Sequence, residues 1–290
     1  MARNPGRTGS RASVFSLSWV VVSYFLICGG VCAAAAGYAA VGARDPGAGY
    51  AAFFVGAALG GVLSGRASPH KSYLEPALAA ALVVASLMLF VYATPMGRLG
   101  MAMARSEANV DVWRYAAIAG GLGFAGGFFG AVVGEATQPK APGMLTVRWL
   151  LLAIFISAGA LFASVTAAVI ALANDAAKAA LAQMWTGGID PSKPLVTEDR
   201  VVVLGAAAAA TAAILGGVVT QLGAPRRILL PAFGGTFLVM SAALLGLAAA
   251  GKRLSQFVGT ALAFGALAGA VAMVGGLVTY AIRRGGGKVE

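Results

Sequence analysis

This chain is short of charge. Only 11% of its 290 residues are Asp, Glu, Lys or Arg, against about 25% in a soluble domain. So few charges cannot cover a folded surface in water, which excludes an ordinary soluble protein. Histidine occurs once, as His70, and cysteine twice, as Cys28 and Cys32. The two cysteines stand i, i+4 in one apolar run, where thiols behave as small hydrophobes. A disulfide framework or metal centre needs more ligands than this, so neither metal nor cofactor is expected. Gly-x-Ser-x-Gly, His-Glu-x-x-His and the phosphate-binding loop are all missing. Ionisable residues are almost absent from the middle of the apolar runs, where proton relays and ion pathways place them. These absences point away from an enzyme.

What is present in quantity is apolar sequence: 59% hydrophobic residues and a mean hydropathy of +0.85. Runs of about 20 apolar residues recur, each long enough to cross a hydrocarbon core of roughly 30 Å. They are continuous rather than alternating, which excludes a β-barrel. The expected fold is an all-α, polytopic transmembrane bundle of eight spans, near 17–41, 47–65, 74–94, 113–134, 149–173, 201–221, 228–250 and 254–282.

The net charge is +11 and the pI about 10.2. The basic residues lie in short segments between spans, as the positive-inside rule and anionic headgroups require. No basic patch is interleaved with aromatics, so the expected partner is the lipid bilayer and not nucleic acid. With the amino terminus inside, 12 of the 21 basic residues fall on the inner side and 9 on the outer. Both termini are therefore expected in the cytoplasm, and the Ala/Gly-rich, Arg-over-Lys composition fits a bacterial inner membrane.

The two halves resemble each other. Trp19, Phe25 and Gly29 match Trp149, Phe155 and Gly159 at an offset of 130. Leu59-Gly60-Gly61-Val62 matches Leu215-Gly216-Gly217-Val218 at 156, as does Pro69 with Pro225. Pro76-Ala77, Ser86 and Leu89 match Pro231-Ala232, Ser241 and Leu244 at 155. The jump of 26 falls in a long loop, 174–200. A tandem duplication of a four-helix unit follows. An even number of crossings gives both copies one orientation, so the repeats are parallel, related about the membrane normal. The layout is a basic tail (1–16), a first repeat (17–140), a second repeat (141–284) with outer loop 174–200, and a short tail (285–290). The first apolar run has the flanks of a signal peptide. It is too long for one and has its counterpart in span five, so it is read as a span.

Polar residues concentrate in "SPHKSYLEPALAA", 68–80, at the mouth of span three. Pro76 suits a first helical turn, and Glu75 suits the positive end of the helix dipole. An interfacial cap with solvated charges is the expected reading. The functional alternative is a cytoplasmic cluster of Arg66, His70, Glu75 and Glu135, since Glu135 ends span four at the same level.

Glycine is abundant, with 41 residues. Four-residue spacings such as Gly126-Gly130-Gly134, Gly61-Gly65 and Gly265-Gly269 let helix backbones approach closely where lipid removes the hydrophobic drive. Tight packing within the bundle is expected; a homodimer face is the alternative. The outer loop carries a stretch that Asn174 or Asp175 can cap and Gly187-Gly188 can stop. Its Leu181, Met184 and Trp185 form one apolar stripe, so the helix is expected to lie flat on the outer membrane face, as a lid on its own bundle or, alternatively, as a docking site for a membrane or periplasmic partner.

Two functional expectations result. One is a non-enzymatic structural or accessory subunit of a membrane assembly. The other is a carrier for a small neutral or amphipathic solute, sited between the two repeats. A hollow or a sealed interface distinguishes them.

Overall fold

The computed structural model describes residues 15–40, 46–68, 73–94, 111–138, 145–185, 195–223, 229–250 and 254–285, with the single positions 98 and 102. Among them there is no strand. Eight long helices follow in order: α1 (Leu17–Ala40), α2 (Pro46–Ala67), α3 (Leu74–Ala93), α4 (Val112–Ala136), α5 (Leu145–Trp185), α6 (Glu198–Gly223), α7 (Leu229–Ala250) and α8 (Leu254–Gly285). All eight are long and apolar enough to cross a membrane. Large apolar side chains such as Leu82, Leu89, Phe129 and Leu247 point outward from them. In water that surface would be ruinous; in lipid it is the natural one. The chain is a multi-pass helical membrane protein.

Helix ends follow local rules. Pro46 opens α2, where the missing N–H costs nothing. Asp111 caps α4, its side chain accepting from the Trp113 and Arg114 amides at 3.1 and 3.4 Å.

One expectation fails at α5. Residues 174–185 are not a separate helix lying flat; they continue α5, which runs unbroken for 41 residues. At 1.5 Å per residue it is about 60 Å long, roughly twice the hydrocarbon core. The reason is local: "AAKAALAQ", 176–183, consists of strong helix formers. Asn174 and Asp175 are therefore interior helix positions and not caps.

Close contacts fix the helix directions. Trp19, Val22 and Leu152 all come within 3.6 Å of the side-chain position of Gly223. The starts of α1 and α5 therefore share one end, and α6 finishes beside them. Ser23 meets Ser64 and Gly30 meets Gly56, so α2 runs against α1. The polypeptide goes up and down eight times.

The same helix pairs touch in each half. Within the first, α1 packs on α2 and α3, and α4 on α2 and α3; within the second, α5 packs on α6 and α7, and α8 on α6 and α7. The halves meet mainly along α1 and α5, with α1 also touching α6. In the parallel pair α2/α4, Gly126, Gly130 and Gly134 lie against the carbonyls of Phe54, Ala58 and Val62, four residues apart on both helices. Gly275 of α8 lies likewise against the carbonyl of Ile214, which is 156 residues after Ala58. Gly60 meets Ile27, and Gly216 meets Ser157, again positions paired by the offsets of 156 and 130. A methyl group at most of these glycines would collide with backbone.

The seam between the halves has one buried cluster: Trp19, Val22 and Leu26 from α1, Trp149, Leu152 and Ile156 from α5, and Val219 from α6. At its centre the carbonyl of Phe155 occupies the side-chain position of Gly29, and that of Phe25 occupies the side-chain position of Gly159.

Candidate functional site at one end of the bundle

The starts of α1 and α3 and the ends of α2 and α4 gather at one end, and most of the polar residues singled out from the sequence are there. Glu75 is in the first turn of α3 and is 3% exposed. Its Oε1 accepts the backbone N–H of Ser16, immediately before α1, at 3.2 Å. One carboxylate thus lies at the positive ends of two parallel helices, where free N–H groups need an acceptor. The position at the mouth of α3 is as expected from sequence, but the solvated charge is not. The foot of α1 covers Glu75, and no local pattern in 68–80 reports a helix 59 residues earlier in the chain.

The opposite helix ends are closed from α4. Gln138 Nε2 donates to the carbonyls of Gly65 and Ser68 at 2.7 and 3.1 Å, occupying acceptors that a helix C-terminus leaves unpaired. Glu135, half-buried in the last turn of α4, accepts the Tyr73 hydroxyl. That bond, with slight burial and the carboxylate charge, raises the Tyr73 pKa above 10.0. Arg66 is exposed in the last turn of α2, a favourable place for a cation. Its backbone nitrogen lies 3.0 Å from the side-chain position of Gly134. His70 and Lys71 lie outside the described residues. Arg66, Glu75 and Glu135 therefore share one end of the bundle, joined there by Ser16, Tyr73 and Gln138, which sequence reasoning missed. Ser16 and Gln138 carry no periodic signal, and their roles come only from which helix ends meet. Chemically the arrangement is a lock on helix termini. Among the described residues no three of His, Cys, Asp and Glu are placed to hold a metal ion.

At the other end, Leu181, Met184 and Trp185 stand exposed on the overhang of α5, Trp185 at 88%. The overhang is tied to the first turn of α6 by Arg200 Nε and Asp175 Oδ2 at 2.9 Å.

Inside the spans, hydroxyls pair across helices. Ser23 and Ser64 are 2.7 Å apart, Tyr24 and Ser86 2.8 Å, and Ser157 and Thr236 2.9 Å. Sequence alone could not pair them. Thr220 Oγ1 and Trp149 Nε1 are buried with no hydrogen-bond partner among the described residues. A cavity reached from both halves, lined by Tyr24, Cys28 and Ser86 on one side and Phe162, Ala163 and Thr166 on the other, measures about 30 Å³, room for a single water.

No protein-family model, curated protein or solved structure matches this chain.

Proposed function

We propose that this protein is a non-enzymatic structural or accessory subunit of a membrane assembly in a bacterial inner membrane, with both termini cytoplasmic. It is built as a tandem duplication of a four-span unit with parallel repeats. One observation carries the choice against a solute carrier. At the seam, Gly29 and Gly159 bring the backbones of α1 and α5 into direct contact, where a carrier of parallel repeats needs a cavity near mid-membrane.

Several contacts support the duplication. Gly29 on Phe155 and Gly159 on Phe25 are reciprocal, the self-complementary pattern of a two-fold interface. The repeat also accounts for the unpaired Thr220. It corresponds to Ser64 at the offset of 156, while Ala153 stands where the offset of 130 places the partner, Ser23. Glycine faces then hold each unit together, as small-residue faces do in lipid.

Two exposed features support an accessory role: the overhang of α5, which the first copy lacks, and the apolar stripe it carries. Extraction from the native membrane in a mild detergent tests this reading. The protein should migrate in an assembly with other membrane subunits, and removal of 176–195 should release it from them. A lone monomer that moves solute when reconstituted in vesicles would overturn the proposal.

A further inference from the structure

No further inference is drawn: the strongest candidate, the groove of about 460 Å³ between α1 and α3 walled by Val20, Val21, Leu82 and Ala85, is an apolar face, and nothing in the structure shows what covers it.

Discussion

The side-chain position of Gly159 is filled by the carbonyl oxygen of Phe25, at the centre of the crossing between α1 and α5. Any Cβ there must push the two helices apart. Gly159→Ala should cost about 1–3 kcal/mol, the usual penalty of overpacking. Gly37, on the same α1 helix as Phe25, has nothing within 4 Å of its side-chain position, so Gly37→Ala should leave stability unchanged. Thermal unfolding in detergent reads both. A Gly159→Ala protein melting with the wild type would remove the crossing.

Matched positions should respond to substitution with opposite signs. Ser64 is paired with Ser23, so Ser64→Ala strands a buried hydroxyl and should destabilise by about 1 kcal/mol or more. Thr220, 156 residues after Ser64, has no hydrogen-bond partner among the described residues, so Thr220→Val removes an uncompensated polar group at nearly constant shape. It should be neutral to stabilising, by up to about 2 kcal/mol. Unfolding midpoints of the two variants, compared with wild type, check the contrast. Loss of stability in both would show that Thr220 is satisfied after all.

Glu75 joins α3 to the foot of α1 through Ser16. Glu75→Gln keeps an acceptor of the same reach for Ser16 and gives up the charge at two helix ends, so its cost should be about 1 kcal/mol. Glu75→Leu leaves the Ser16 N–H without that acceptor and should cost about 1–3 kcal/mol. Limited proteolysis near residue 16 should accelerate in the leucine variant alone. A folded Glu75→Gln protein that loses its partners would make the carboxylate itself functional.

Tyr73 should titrate above its ordinary value of 10.0 because its hydroxyl bonds to Glu135. Glu135→Gln removes the carboxylate charge and should move that titration down toward 10.0, read by ultraviolet absorbance of tyrosinate against wild type. With the pKa raised in the folded state, whatever the bond contributes is present below the unfolded value and lost as pH rises through the folded one. Identical titration curves would place Tyr73 away from Glu135.

Spin labels placed singly from 170 to 185 should show a continuous helical period in accessibility, with no break at Asn174, because α5 is one helix there. Labels at Leu181 and Met184 should reach water or partner protein. A loss of period at 174 would restore a separate surface helix.

The sequence by itself determined that this is a multi-pass helical membrane protein. Charge is so scarce and apolar runs so long that only lipid satisfies them, and that constraint acts span by span without reference to any contact. The spacings of glycine and the matched Trp, Phe and Pro positions were also legible, because a period is a local property. Only the tertiary structure decided which backbone each glycine meets, that α5 runs on past Asn174, and that Glu75 is covered by the foot of α1. It alone paired Tyr24 with Ser86 across 62 residues of chain. These depend on helices far apart in sequence arriving at one depth. A hydroxyl in a membrane helix reads the same whether it meets lipid, another hydroxyl or a ligand, until the neighbouring helix is in place.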